Sequence, residues 1–437
     1  MSTLIKTIRQ NWLEKIFYFV LASPALFLLV NKYPYFLVLS ILIVVFLGLV
    51  FFLYSRKITS YHYPVLLVLT LIYIYFIISY FFSGQYLSNF FSYSFLRTDG
   101  NFFFCYILFF ALAIPFFDYK KVTDYYFKFL FFVFSIFSLI GFIEFLSGYT
   151  VLMIIADSTA GKMFMGLNIA HNATGSVYAL VSIFALIFFL EEKVKKVKIL
   201  YSIVFLICVA GLFLSKSRGS YLAFFAAVIF VLWMHFKSIK KFFLTLSTLI
   251  IISIPVLWVT HAFERFIQIF QTKGTAAVRL ELWEKAWNLF SKSPVFGVGF
   301  GRFNDIISVF HENLAGREGV LAVFLHPRFY YGFDHAHNSY LQFLAETGII
   351  GLGLLLFFWC LCFQIIFKAL KLAKDGYSKK AFLAGLAAIV ILFILSFTEN
   401  YFSATTIMVA SSMIVSLNIG LSWQNNGSKK NNSKFSQ

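Results

Sequence analysis

Charge is scarce in this sequence. Only 12% of its 437 residues are charged, and just 18 are Asp or Glu. Soluble domains carry about a quarter charged residues. A water-soluble fold, a disordered chain and an ordinary nucleic-acid-binding domain are therefore excluded. Cysteine is scarce too, and Cys105, Cys208, Cys360 and Cys362 all lie in apolar runs. The C-x-C pair at 360–362 has no His or carboxylate beside it, which argues against both a metal cluster and a disulfide framework. The glycines of GVGFG (297–301) lack a following G-K-[ST], so they are no P-loop. No A-x-A-like site follows the first apolar stretch, which is read as a retained helix rather than a cleaved signal. The apolar runs also lack the period-2 alternation of barrel strands.

What the chain has in excess is apolar surface. Hydrophobic residues make up 61%, with 61 Phe. Runs of about 17–25 apolar residues suit a bilayer. They recur at roughly 15–30, 34–54, 63–83, 100–117, 126–147, 169–190, 198–214, 219–236, 241–259, 338–367, 380–397 and 402–421. The expected fold class is an all-α polytopic membrane protein of about twelve transmembrane helices. If the N-terminus is inside, most Lys and Arg fall in inside loops, including Lys120, Lys193, Lys240, Lys371 and Lys379. Short outside loops then keep only Lys32, Arg97, Lys162, Lys216 and Arg218. That asymmetry predicts both termini in the cytoplasm. It also makes most of the net charge of +18 topological.

The expected organisation is nine helices over 1–259, a loop domain over 260–337, helices ten to twelve over 338–421, and a polar cytoplasmic tail at 422–437. The loop domain would lie on the outer face. HAFERFIQIF (261–270) and RLELWEKAWNLF (279–290) have the 3.6-residue period of amphipathic helices. Trp283 and Trp287 read as a stripe that seats the second on the membrane.

Three segments carry more than composition. HAHNSYLQFLAETGIIG (335–351) contains His337-Asn338, nine residues, Gly348, two residues and Gly351. SKSRGSYLAF (215–224) places Ser-Arg-Gly at the start of a span. Three residues separate Arg279 from Trp283, and SPVFGVGFGRF (293–303) follows. This H-N-x9-G-x-x-G pattern, with the S-R-G and R-x3-W segments in that order, resembles the O-antigen ligase and O-antigen polymerase superfamily. The resemblance covers about 200–367 by motif and the remainder by topology.

The resemblance implies transfer of a glycan from an undecaprenyl diphosphate carrier to an acceptor hydroxyl on the periplasmic face of the inner membrane. It implies no nucleotide, no metal and no other cofactor. The acceptor would be the lipid A-core oligosaccharide in a ligase and a second lipid-linked glycan in a polymerase. A protein O-oligosaccharyltransferase belongs to the same class. It further implies that His337, Arg218 and Arg279 are the working residues. Membrane lipids are the remaining partner, and no nucleic acid is expected.

The residue types suit that chemistry. His337 would stand at the start of span ten, where the positive end of the helix dipole opposes a charged ring. A neutral imidazole there can act as general base; the alternative is a simple interfacial cap. Arg218 at the mouth of span eight either snorkels to headgroups or grips a diphosphate with its planar fork. Arg279 would clamp the same group, and Lys216 would add charge to the diphosphate-binding set. His335, Asp334 and Asn338 would support the loop around His337. Glu346, well inside span ten, needs a partner and would hold the span in place. Glu399 is a further notable charge, and His171 with Asn172 a weaker site candidate. A transporter would place charges within several spans, whereas here they gather on one face.

Overall fold

The computed structural model describes residues 63–84, 86–90, 100–107, 109, 118–148, 154–156, 163–166, 171–259, 275–303 and 335–434. The first two expected spans, the 261–270 helix and Asp334 lie outside them. Helices dominate. In chain order they are α1 (Tyr63–Phe82), α2 (Leu87–Phe90), α3 (Asn101–Ile107), α4 (Tyr119–Ser147), α5 (His171–Glu191), α6 (Lys195–Leu214) and α7 (Arg218–His235). Then follow α8 (Ile239–Val259), α9 (Thr275–Lys292), α10 (Ser339–Leu372), α11 (Gly376–Leu395) and α12 (Thr405–Lys434). Eight helices among the described residues are long and apolar enough to cross a membrane: α1, α4, α5, α6, α7, α10, α11 and, within α12, Ile407–Asn425. The protein is a multi-pass membrane protein. Helices satisfy every backbone group internally, which hydrocarbon demands.

The all-α expectation needs one addition. A short antiparallel hairpin, β1 (Ile154–Ala156) and β2 (Met163–Gly166), sits between α4 and α5. Its Phe164 is fully buried, with ring centroids 5.8 Å from Phe142 and 6.0 Å from Tyr178. The expected polar tail also continues as helix, to Lys434.

The bundle has an inside and a wall. α5, α11 and α12 bury most of their residues. Ala384, Ala387 and Ala388 of α11 let neighbours approach closely. α1, α4, α6 and α7 present Leu67, Ile78, Phe132, Leu146, Leu206 and Trp233 outward. In water such a surface would be intolerable; against lipid it is the expected face.

α10 is interrupted. Gly348 has φ 63° and ψ −169°, a conformation open essentially to glycine alone. The helical bonds from Ile349 and Ile350 back to Ala345 and Glu346 are replaced by an exchange with the 293–303 turn. Val298 N donates to Ala345 O at 2.9 Å and Gly299 N to Glu346 O at 2.9 Å. Ile349 N donates to Pro294 O at 3.0 Å and Ile350 N to Val295 O at 3.4 Å. Four groups freed by the kink are thus re-satisfied by the turn. A Cβ at Gly297 would run into the Glu346 backbone, and one at Gly348 into Val295. The P-x-x-G-x-G and G-x-x-G segments are two halves of one clasp, which fixes α9 against α10.

Candidate active site

Helix starts set the site. α10 begins after Asn338, whose side chain accepts from Leu341 N at 3.1 Å. Asn338 is therefore a helix cap. His337 immediately precedes it, with left-handed backbone at φ 49°. α7 begins after Ser217, and Arg218 is its first residue. Lys216 also has left-handed backbone, φ 54°, and is buried in the turn between α6 and α7. α5 begins at His171-Asn172. The starts of these three helices meet at one carboxylate.

That carboxylate is Glu399, in the turn between α11 and α12. Its Oε2 lies 2.6 Å from His337 Nδ1. Its Oε1 accepts from Arg279 Nη2 at 3.1 Å and from Asn172 Nδ2 at 2.8 Å. Asn172 Oδ1 in turn accepts from Ser217 Oγ at 3.0 Å, and Ser217 shares a hydrogen bond with Ser220 at 2.8 Å. Ser217 is thus used to tie α7 to α5 rather than to cap its own helix. The turn is pinned to α10: Ser339 N donates to Ser396 O at 2.8 Å, and Ser339 Oγ to Glu399 O at 3.1 Å. Tyr401 Oη donates to Asn172 O at 2.9 Å. A Cβ at Gly175 would strike Ser217, so only glycine lets α5 and α7 approach this closely.

Burial pushes the Glu399 carboxyl up. The hydrogen bond from His337 and the neighbouring charges of His337, His335 and Arg279 outweigh it and hold the group at about 2. Glu399 is an anion at any working pH, so the proton in the short contact sits on His337 Nδ1. With its proton on Nδ1, a neutral imidazole at this position carries its lone pair on Nε2. His335 is lowered to about 4 by burial first and by its neighbour His337 second, with Arg279 adding and Glu399 opposing. Its Nδ1 accepts from His337 N at 3.1 Å, which leaves the neutral ring's proton on Nε2, 4.0 Å from Glu399 Oε2.

His335, His337 and Glu399 offer ligand atoms within 4.8 Å of one another, a donor set of the kind that holds zinc. Two features oppose a cation there. The Arg279 guanidinium already occupies the carboxylate, and His335 Nδ1 is committed as an acceptor.

The sequence-expected residues separate into two groups. His337, His335 and Arg279 come together around Glu399, and Arg218 stands next to Ser217 in the same network. Glu346 lies apart. Its Oε1 accepts from Phe303 N at 3.0 Å and Gln342 Nε2 at 2.9 Å, so amides rather than a basic side chain hold that oxygen. Asp334 lies outside the described residues. On α9 the buried face is Leu282, Ala286 and Leu289, packed with Phe303, Ala336 and Ala345. Trp287 points outward, 56% exposed. Leu282 and Ala286 of the expected apolar face are therefore turned onto the protein, while Trp287 stays outward. Of the residues that join His337 and Arg279, sequence reasoning offered Asn172 only as a weaker candidate, Glu399 only as a notable charge, and Ser217 only as part of the Ser-Arg-Gly segment. One signal was present: Glu399 is the only charge in the short 398–401 connection.

Residues 203–356 match the family model described as O-antigen ligase. The match begins within α6 and ends within α10, so it includes Arg218, Arg279, His335 and His337 and stops short of Glu399. No curated protein matches the chain.

Proposed function

Because residues 203–356 match the family model described as O-antigen ligase, whose members are glycosyltransferase-like enzymes acting on polysaccharide, we propose that the chain is an inverting O-antigen ligase. The donor is a glycan on undecaprenyl diphosphate, and the acceptor a hydroxyl of the lipid A-core oligosaccharide. The His337 end of the bundle faces the periplasm, with both termini cytoplasmic. The observation that carries the reading is the 2.6 Å contact between His337 and Glu399, whose other oxygen is held by Arg279 and Asn172.

The chemistry follows from that contact. Glu399 fixes the ring and its tautomer, so Nε2 presents a lone pair to the acceptor hydroxyl. As Nε2 takes the proton, the hydroxyl oxygen attacks the anomeric carbon from the face opposite the leaving group. The bond from that carbon to the diphosphate oxygen breaks with inversion, and undecaprenyl diphosphate departs. Glu399 stabilises the imidazolium so formed, as a carboxylate does in a catalytic triad. Arg279 has further N–H groups beyond the one spent on Glu399. Together with Arg218 and Lys216 it compensates the charge growing on the leaving diphosphate. The positive ends of α5, α7 and α10 add to the same field.

The test is transfer by purified protein, supplied with undecaprenyl-diphosphate-linked glycan and either lipid A-core or a second lipid-linked glycan. Product on lipid A-core supports the ligase. Product only on the lipid-linked acceptor makes the protein a polymerase. Reporter fusions at Lys379 and Gly316 should read opposite compartments; agreement between them would remove the periplasmic placement.

A further inference from the structure

Glu346 and Gln342 stand one helical turn apart on the first segment of α10, buried to 1% and 0% exposure. A carboxylate at this depth is costly unless its environment uses it. Here Glu346 Oε1 receives two N–H groups at once, from Phe303 N at 3.0 Å and from Gln342 Nε2 at 2.9 Å. The other end of the same glutamine, Oε1, accepts from Ala336 N at 2.8 Å. Ala336 is the residue between His335 and His337. Phe303 is fully buried against Leu282, Ala286 and Leu289 of α9, the helix that carries Arg279. Lys285 of α9 lies over its ring at 4.4 Å. The pair therefore bridges the backbone beside the candidate base to the residue on which the arginine helix is seated.

We propose that Gln342 and Glu346 are positioning residues, which hold the His335–His337 turn in register with Arg279. The proposal rests on the glycosyl-transfer reading of the site and deepens it. The bridge acts through geometry: its hydrogen bonds run between the two side chains and to the backbone amides of Phe303 and Ala336. The left-handed backbone of His337 gives it something to hold. Histidine visits that conformation more readily than most residues, but any non-glycine residue holds it best when its surroundings fix it. Ala336 N anchored on Gln342, with Ser339 N anchored on Ser396 O at 2.8 Å, brackets the strained position on both sides. Ionisation of Glu346 is not required, because a neutral amide oxygen can accept the same two hydrogen bonds.

The test separates positioning from mere folding. Spin labels at Trp287→Cys and Phe397→Cys, both exposed, report the distance between α9 and the end of α11 in a chain whose native cysteines are replaced. Glu346→Leu should broaden that distance distribution. It should lower kcat by about tenfold to a hundredfold while the KM for lipid-linked donor stays within about threefold, since misplacement by an ångström has effects of this size. Glu346→Gln should restore both readouts to near native. Gln342→Met, which keeps size and loses both hydrogen bonds, should repeat the Glu346→Leu result if that variant fails to fold. Native kcat in either apolar variant, or no rescue by Glu346→Gln, overturns the proposal. A native protein that transfers nothing overturns the functional reading instead, and the label distances then still decide whether the pair sets the register.

Discussion

Among the described residues, two histidine–carboxylate contacts of nearly equal length stand at opposite ends of the bundle. His337 Nδ1 lies 2.6 Å from Glu399, and His235 Nδ1 lies 2.5 Å from Glu191. Their settings are opposite. Glu399 sits where α5, α7 and α10 begin, so positive helix ends point at a negative group. Glu191 and His235 are the last residues of α5 and α7, where negative helix ends favour the cation of the pair. Arg279 flanks the first contact through Glu399 Oε1. Beside the second, Glu192 is bound to Lys380 at 2.6 Å, and Lys380 lies over the Phe188 ring at 5.6 Å. On the proposed reading, the same two side chains make a base at one end and a structural tie at the other. What decides is which ends of the helices they share, not their separation.

Substitutions at both ends would sharpen or break that contrast. The largest difference is expected for the histidines. His337→Ala should lower transfer by about 10²–10⁴-fold, the range a general base contributes, with donor binding kept. His235→Ala should leave kcat within about threefold of native. Comparable losses from both, measured by initial rates on purified protein, would dissolve the distinction.

Next come the carboxylates. Glu399→Gln offers one oxygen where two are used, so its amide must face either His337 or the Arg279–Asn172 side as a donor against donors. Transfer should fall on the order of a hundredfold through misplacement of the ring. Glu192→Gln should change thermal stability and not kcat. Lys380 and the Val194 and Lys193 amides hold Glu192 at about 2, against the opposing effect of burial. Its folded value is thus lowered, so its stabilising effect is present above the ordinary carboxylate range. That effect fades as pH falls from about 4.3 towards 2. Melting curves against pH would show this window in the native protein and lose it in Glu192→Gln.

Arg218→Lys keeps charge and loses the planar fork. Transfer should drop about tenfold or more at unchanged expression if the fork grips a diphosphate. Full activity would reduce Arg218 to an interfacial anchor.

The smallest expected change is in the pH profile of His335→Gln. His335, at about 4, is already neutral at ordinary pH. Any acid-side loss of transfer in the native protein should therefore persist in this variant, because the proposed base is His337. Its disappearance would move the base to His335.

The sequence made some of this legible. Apolar length and charge placement located the spans from 63 onward that the structure describes as helices, because both are local properties read along one chain. The α9 helix followed from its period, although which face would be buried did not: Leu282, Ala286 and Leu289 compete closely with Trp283 and Trp287 on the same stretch. His337 and Arg279 were found through motif spacing. Glu399 and Asn172 were not, because their roles come from contacts across 62, 120 and 227 residues of chain. Periodicity carries no information about which helix starts will meet. The clasp was half visible: the glycines stood out, but not that Gly297 and Gly348 face each other.

Gln342 and Glu346 have a consequence for how this chain can vary. Phe303 N and Ala336 N are held by one bonded pair of side chains. Both amides therefore hang on side chains of α10 alone, one helical turn apart. A single substitution at Gln342 or Glu346 loosens two chain segments at once, so neither position can drift independently of the other.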